Sequence, residues 1–410
     1  MQNNTATSHF SQLREIPPAI WALGFVSLLM DVSSEIIHAL LPVYLVSVLG
    51  TTMVTVGFIE GIAEATASIT KVFSGSISDW LGRRKLLAVI GYGLSAFTKP
   101  IFPLASSVGW LVAARFIDRI GKGIRGAPRD ALVADIAPTH LRGASFGLRQ
   151  SLDTVGAFLG PALAIGLMWL TADDFHAVFW FAVVPAFLCV GLLIFAVHEP
   201  ERPPRLRKVR APLSLAELRR FGLAYWWVVG IAVLFSFARF SEAFLILQAQ
   251  SVGLPVMLVP MVLVLMNVVY AFAAYPAGAL SDRANRIAVL GLGFGILVAA
   301  DLVLAFTGSI AGVAVGVALW GLHLGFTQGL LATLVADTAP LELRGTAYGL
   351  FNLLIGLALL AASILAGALW DTIGSRATFL AGAVFTTLAL AGLAATRRIA
   401  PTVGQVPQPN

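Results

Sequence analysis

Four acidic residues stand inside apolar stretches of the chain, where a charge is costly and therefore points to function. Asp31 and Glu35 are four residues apart, and so are Glu60 and Glu64. In a helix, this spacing places both members of a pair on one face. Two carboxyl groups held close together at low dielectric cannot both ionise cheaply, so one member of each pair is a candidate for carrying a proton. The simpler interpretation is that each carboxylate neutralises a nearby cation.

A stripe of mostly basic residues in the fourth apolar stretch supplies such cations. Its charged residues recur at intervals of three and four, which aligns them on one side of a helix: Arg115, Asp118, Arg119, Lys122, Arg125 and Arg129. Such a stripe cannot face lipid, so it must face a water-filled cavity or the acids of other helices. We interpret Arg115, Asp118 and Arg119, together with the four acids above, as a proton-coupling network.

The substrate chemistry depends on what the stripe faces. If its charges face the cavity, they favour a molecule that bears carboxylate or phosphate. If they are neutralised by Asp31 and the acids of the second stretch, a neutral or lipophilic substrate is equally compatible with the sequence.

Polar and aromatic residues in the remaining apolar stretches predict the wall of a substrate cavity. Arg239 and Glu242 are three residues apart and could instead pair with each other. Asp153 follows Arg149 by four residues, on a helix face that also carries glycines and could be a packing seam. The predicted substrate set is His38, Lys122, Asp153, Arg239, Glu242, Asn267, Tyr270, His323, Gln328 and Asn352.

The composition indicates which elements position these residues. The chain is 58% hydrophobic and 12% charged, against about 45–50% and about 25% in soluble domains. Its apolar residues form runs of the length that spans a hydrocarbon layer of about 30 Å. We predict an all-α membrane protein with twelve transmembrane helices, for which the lipid bilayer is the surrounding partner.

The net charge of +6 is explained by topology and gives no support to nucleic-acid binding. Basic residues cluster after the second apolar stretch, in the polar segment 198–222 and after the last stretch, whereas the alternate connections carry little positive charge. This asymmetry follows the positive-inside rule, so both termini and the central segment are predicted to be cytoplasmic.

Internal similarity divides the chain into two related halves. The segment from Gly75 to Arg84 resembles the one from Gly278 to Arg286, at a shift of 203 residues (278 − 75). Leu-Val-Ala-Asp at 132–135 recurs at 334–337, at a shift of 202 (334 − 132). Duplicated units of this kind are typical of transporters. We predict a first six-helix bundle at 1–197, a linker at 198–222 and a second bundle at 223–410.

The repeated segment carries a family resemblance. The pattern Gly-x-x-x-Asp-x-x-Gly-Arg-Arg after the second stretch is similar to the loop signature of the major facilitator superfamily, and a degenerate copy follows the eighth stretch. In the fifth stretch, the glycines and the following proline resemble the motif of proton-driven antiporters, although Ala164-Ile165 replaces its last glycine pair. The residues concerned are Gly75, Asp79, Gly82, Arg83, Arg84, Gly278, Asp282, Arg286, Gly156, Gly160 and Pro161.

The resemblance implies a fold, a set of gating residues and a mode of action. It implies two bundles that rock about a site near the bilayer midplane. Asp79, Arg83 and Arg84 would latch neighbouring helices on the cytoplasmic side, although they could also be simple anchoring charges. Arg115 occupies the place of an arginine found in proton-coupled relatives. A monomer in the bacterial inner membrane is expected.

The expected function is therefore proton-coupled export of a small molecule by antiport. A proton-coupled importer of a metabolite or a metal chelate is the first alternative, and a non-transporting membrane sensor is a distant one. The sequence has no phosphate-binding glycine loop, paired-cysteine metal site or His-Glu-x-x-His motif. We accordingly expect no enzyme activity, no cofactor and no bound metal.

Overall fold

The computed structural model describes residues 15–81, 83–138, 141–199, 220–283, 285–339 and 344–399. Within these ranges, only the backbone is described for a small set of residues: 75, 76, 79, 80, 142–144, 275, 278, 279, 281–283, 328, 329, 332, 333, 336, 337, 344–346 and 397–399. All regular structure in the described ranges is helical, as the composition predicts.

The first half contains six helices, of which the third is broken at Lys99 and Pro100. They are α1 (Pro18–Val43), which continues as a π-helical turn (Tyr44–Val48), α2 (Met53–Leu81), α3a (Arg84–Thr98) with α3b (Ile101–Leu104), α4 (Val108–Ile136), α5 (Arg142–Leu170) and α6 (Phe175–Ala196).

The second half repeats this order, and here the first helix is broken. The helices are α7a (Leu223–Ser236) with α7b (Ala243–Ser251), a short 3-10 turn (Val256–Leu258), α8 (Met261–Arg283), α9 (Arg286–Phe306), α10 (Ile310–Thr338), α11 (Arg344–Thr372) and α12 (Ser375–Ile399). α4 begins at Val108 and α10 at Ile310, a shift of 202 residues (310 − 108) that agrees with the sequence repeat. The predicted all-helical fold is confirmed over the described ranges, and the helices there agree with twelve helices in two homologous bundles.

Most of these helices are long and apolar enough to cross a membrane. Nine helical stretches in the described ranges meet that description by length and composition. The other three spans are α2, which carries an acidic pair, α4, which carries the charged stripe, and the broken α7. The chain is therefore a multi-pass membrane protein.

The two bundles differ in their cores. In the second half, one continuous apolar cluster includes Phe235, Phe294 and Phe379. In the first half, the apolar core is divided into one cluster around Leu40 and another around Leu23. The first half also buries charged residues of α3 and α4: Lys99, Arg115, Asp118, Arg119 and Arg125. This agrees with the sequence, in which most ionisable residues within spans belong to the first half.

Glycines allow close approach between helices. A Cβ atom added at Gly156 of α5 would lie 2.8 Å from the carbonyl oxygen of Leu28 in α1, and one at Gly160 would meet Glu35. Across the two halves, a Cβ atom at Gly61 of α2 would lie 2.9 Å from the Cα atom of Leu360 in α11. The α1–α5 and α2–α11 contacts therefore depend on small residues.

Candidate functional site

A cavity of about 310 Å³ lies between the two halves. Helices α1, α2 and α4 of the first half and α7, α10 and α11 of the second half contribute its lining. The lining residues are Glu35, His38, Glu60, Glu64, Arg119, Lys122, Arg239, Phe240, Ser241, Glu242, Trp320, Leu359 and Ser363. The first half thus supplies a charged wall, and the second half supplies a mixed wall with aromatic rings.

One chain of contacts leads from the cavity into the first bundle through a histidine. The Nδ1 atom of His38 lies 3.2 Å from Glu35 Oε2, and its Nε2 atom lies 3.5 Å from Glu60 Oε2. Arg115 Nη2 donates a hydrogen bond of 2.9 Å to the same Glu60 oxygen. Since the side chains of Glu60 and Arg115 are both 2% exposed, Glu60 is a buried carboxylate with two basic neighbours.

A second chain begins at Glu64 and ends at the break in α3. Arg119 Nη1 lies 3.6 Å from Glu64 Oε1, and Arg119 Nε lies 3.9 Å from Asp118 Oδ2. On its other side, Asp118 accepts a hydrogen bond of 3.1 Å from Lys99, which also donates to Ser34 at 3.0 Å. Lys99 and Asp118 are almost completely buried, so this pair belongs to the interior of the bundle.

The far end of the α4 stripe makes contacts within the bundle. Arg125 donates a hydrogen bond of 2.7 Å to Ser95 and lies 4.8 Å from the ring centroid of Tyr92. Arg129 and Arg149 both approach Asp153, at 3.6 Å and 3.4 Å. Asp153, predicted to belong to the substrate wall, is thus held by two arginines and is not among the cavity-lining residues.

Asp31 differs from the other predicted proton-coupling acids because its nearest ionisable partner is another acid. Its carboxyl group lies next to that of Asp153. In the part of the chain that the structure describes, no basic nitrogen lies within 4.0 Å of the Asp31 carboxyl group. Although Asp31 and Glu35 share a face of α1, they bond to different residues: Glu35 contacts His38, one turn further along the same helix.

Three charged residues of the cavity have no ion-pair partner among the described residues. They are Lys122 of α4 together with Arg239 and Glu242, which lie in the break of α7. The Arg239–Glu242 ion pair that the sequence allows is not formed. Arg239 instead lies 6.0 Å from the ring centroid of Phe235. These side chains are therefore available to a ligand.

Four other predicted wall residues lie outside the cavity lining. Asn267 borders a separate apolar groove between α5 and α8, of about 170 Å³. His323 is completely buried behind Trp320, with 5.4 Å between the ring centroids. Tyr270 and Asn352 are half-buried and do not line the cavity. The side chain of a fifth, Gln328, is outside the described residues.

The predicted gating residues are described only in part. Arg84 forms an ion pair with Asp135 of α4, and its backbone nitrogen donates to Glu199 at 2.7 Å. Arg83 precedes α3a, and Arg286 begins α9 directly after Asn285 caps its first amides. Among the remaining loop-signature residues, Gly82 lies outside the described residues, and only the backbone is described for the other four: Gly75, Asp79, Gly278 and Asp282.

A contact between the halves lies at the opposite end of α2. The Asp371 carboxylate of α11 accepts hydrogen bonds of 2.9 Å from the backbone nitrogens of both Met53 and Val54. Nearby, Gln250 of α7b donates a hydrogen bond of 2.6 Å to Ser47. Acidic side chains are favourable at helix N-termini, so Asp371 fastens α11 to the start of α2.

Sequence reasoning left one buried ionisable residue of a span, Lys99, out of the site and missed a second one, Asp301. Asp301 of α9 is completely buried, and neither of its carboxyl oxygens has a hydrogen-bond partner among the described residues. The available signal was the same for both: a single charge inside a long apolar stretch.

Comparisons with known proteins agree with this geometry. A family model described as the Major Facilitator Superfamily matches residues 23–362. The chain is 34% identical over 383 residues to an uncharacterised MFS-type transporter of Methanocaldococcus jannaschii, covering 90% of this chain and 93% of that protein. It is 28% identical over 221 residues to the quinolone resistance protein NorA of Staphylococcus aureus, covering 50% of this chain and 55% of NorA.

The fold is similar to that of solved transporters. A bacterial homologue of the human lysosomal transporter Spinster, in an inward-facing and unoccupied conformation, superposes with a TM-score of 0.77. The identity is 16%, and the match covers 98% of this chain and 99% of that one. At that identity the likeness concerns the fold alone.

Proposed function

Because the chain belongs to the major facilitator superfamily, a family of transporters and not of enzymes, we propose that it exports a small molecule in exchange for protons. In transporters of this fold, the substrate binds near the midplane between two bundles, which expose it to each side in turn. The cavity between α1, α2 and α4 on one side and α7, α10 and α11 on the other is the corresponding site here.

Two features support proton coupling: the contact chain from Glu35 through His38 and Glu60 to Arg115, and the neighbouring acid Asp31, one helical turn from Glu35. Glu35 and His38 line the cavity, whereas Arg115 is buried in the first bundle. Histidine is the side chain whose ordinary pKa lies closest to physiological pH. A proton that enters this chain therefore changes the charge of the cavity wall, which couples proton binding to substrate binding.

We assign the proton-carrying role to Asp31. The other candidate acids of α2 and α4 contact cations directly, whereas the Asp31 carboxyl group faces Asp153. Two neighbouring carboxyl groups favour a state in which they share one proton. Asp31 is also one helical turn from Glu35, so its proton is close to the cavity wall. Arg115, Asp118 and Arg119 would then hold the surrounding network in place.

Two observations favour export. The name of NorA, quinolone resistance protein, associates that partial relative with drug resistance. In addition, Gly156, Gly160 and Pro161 of α5 resemble the antiporter motif, and both glycines pack against α1 beside Asp31 and Glu35. The same site working in the opposite direction would make the protein an importer of a metabolite or a metal chelate. The direction of substrate-dependent proton movement separates these two functions.

The proposed topology follows the charge pattern. Residues 1–197 and 223–410 would move as two bundles, joined by the basic segment 198–222. Both termini and this segment would lie in the cytoplasm of a bacterium, with the protein acting as a monomer in the inner membrane. The Arg84–Asp135 pair would then stabilise the cytoplasmic side, and Asp371 the opposite side.

The test is proton movement in proteoliposomes under an imposed pH gradient, with candidate solutes added to wild type and to Asp31→Asn. We expect solute-dependent proton flux in wild type, and a loss of about tenfold or more in Asp31→Asn, a coupling effect of ordinary size. Exchange of labelled solute without a gradient should survive in that variant, because only the proton step is removed. Solute flux in wild type that does not depend on the imposed pH gradient would contradict proton coupling.

A further inference from the structure

Two cations of the cavity wall stand apart from the ion-pair chains. Lys122 comes from the first half and is exposed, and Arg239 comes from the second half and is half-buried. Neither has a carboxylate within 4.0 Å among the described residues. By contrast, Arg115 and Arg119 contact Glu60 and Glu64. Cations within a membrane protein face a counter-charge or a substrate pathway.

The position of Arg239 is fixed by the break in α7. Residues 237–242 between α7a and α7b are not part of a regular α-helix. The backbone nitrogen of Ser241 donates a hydrogen bond of 3.2 Å to the Ser363 hydroxyl group of α11. This contact holds the interruption against α11, so that Arg239, Ser241 and Ser363 all line the cavity. A planar guanidinium in a fixed place is well suited to bind carboxylate or phosphate oxygens.

Apart from Glu242, the rest of the second-half wall is apolar. Phe240 and Trp320 both line the cavity, with 5.5 Å between their ring centroids, and Leu359 lies on the same wall. A volume of about 310 Å³ is at the lower end of the range of small-molecule sites. The cavity therefore combines two unpaired cations with an aromatic surface of modest size.

We infer that the substrate is a small organic anion, whose carboxylate or phosphoryl group binds between Lys122 and Arg239 while its apolar part packs on Phe240 and Trp320. The inference rests on the proposed transport role of this cavity. A ligand anion that bridges cations of both halves draws the bundles together, so that binding favours closure. The unpaired carboxylate of Glu242, in the same wall, disfavours a second negative charge near the break.

Binding is tested with purified protein in lipid nanodiscs, without any pH gradient. The probes are benzoate and phenylphosphonate, with benzamide as the neutral analogue and benzylamine as the cationic one. We expect the two anions to raise the melting temperature in a concentration-dependent way, and the other two compounds to have little effect. Lys122→Gln and Arg239→Gln should each weaken anion binding about tenfold or more, since each removes a charge-assisted hydrogen bond.

Matched variants separate charge from folding. Lys122→Arg keeps the charge and should retain most of the affinity. Arg239→Lys keeps the charge but loses the planar guanidinium, so it should bind anions more tightly than Arg239→Gln and more weakly than wild type. Arg376→Gln removes a cation that lies outside the cavity, over the ring of Phe306. Equal stabilisation by all four compounds, no stabilisation by either anion, or unchanged affinity in both glutamine variants would overturn the inference. Anion binding without proton flux in proteoliposomes would instead contradict the proposed antiport and leave the substrate class standing.

Discussion

Glu60 and Glu64 share a face of α2 but differ in their surroundings, and this difference predicts different costs of substitution. Glu60 is buried between Arg115 and His38, whereas the Glu64 side chain is 46% exposed. Glu60→Gln leaves a buried guanidinium without its counter-charge, which typically costs about 3–5 kcal/mol. Glu64→Gln breaks a partly solvated contact worth about 1 kcal/mol or less. Thermal unfolding in nanodiscs should therefore show a large loss of stability for Glu60→Gln and a small one for Glu64→Gln.

The stabilities of Glu60→Gln and Glu64→Gln also serve as a control for the transport experiments. If both variants unfold at the same temperature, the assigned burial of Glu60 is wrong. If only Glu60→Gln is destabilised, its loss of transport does not identify the proton carrier. Asp31→Asn is better suited to that purpose, because no cation contacts Asp31 within the described residues.

At the scale of the helices, the sequence predicted which faces are polar but not which residues meet. The intervals of three and four in α4 correctly placed its charges on one stripe, because helical periodicity is local. Whether Arg125 meets an acid or the Ser95 hydroxyl depends on the rotation and axial position of α3 relative to α4. The Asp31–Asp153 pair likewise depends on the α1–α5 contact, for which spacing along a single helix gives no information.

The Asp371 contact with α2 predicts a change in conformational equilibrium. Asp371→Ala removes the acceptor for the Met53 and Val54 amides, a capping interaction worth about 0.5–2 kcal/mol. The conformation that is closed on this face should therefore become less populated relative to the open one. If the cap is worth 1.4 kcal/mol, the ratio of the two populations changes about tenfold. The measurement is labelling of Ser241→Cys, which lines the cavity, by a membrane-impermeant maleimide in a Cys189→Ser background.

Labelling from the α2 N-terminal side should be faster in Asp371→Ala than in the parent. Asp371→Asn keeps one acceptor oxygen and should give an intermediate rate. If the parent, Asp371→Ala and Asp371→Asn were all labelled at the same rate, the contact between Asp371 and the start of α2 would have no gating role.

For the molecule as a whole, duplication was visible in the sequence because both copies kept the same signatures at nearly one shift, 203 and 202 residues. The matching starts of α4 and α10 confirm it. What the sequence could not supply is the interface between the copies, since the α2–α11 contact joins residues about 300 positions apart, such as Gly57 and Ser363. The unpaired state of Arg239 has the same origin: Glu242 is near in sequence, but the break in α7 separates the two charges.

That interface yields a prediction about the whole transport cycle. A Cβ atom at Gly57 would overlap the Ser363 carbonyl group of α11, whereas one at Gly147 of α5 would meet nothing within 4 Å. Gly57→Ala should therefore oppose the close α2–α11 packing seen here without disturbing the core of either bundle. Because the proposed cycle requires the halves to separate and rejoin on this face, we expect faster Ser241→Cys labelling from the α2 N-terminal side together with slower solute exchange. Gly147→Ala should leave both rates unchanged. If Gly57→Ala were labelled faster but exchanged solute at the wild-type rate, the conformation with close α2–α11 packing would not be required in the transport cycle.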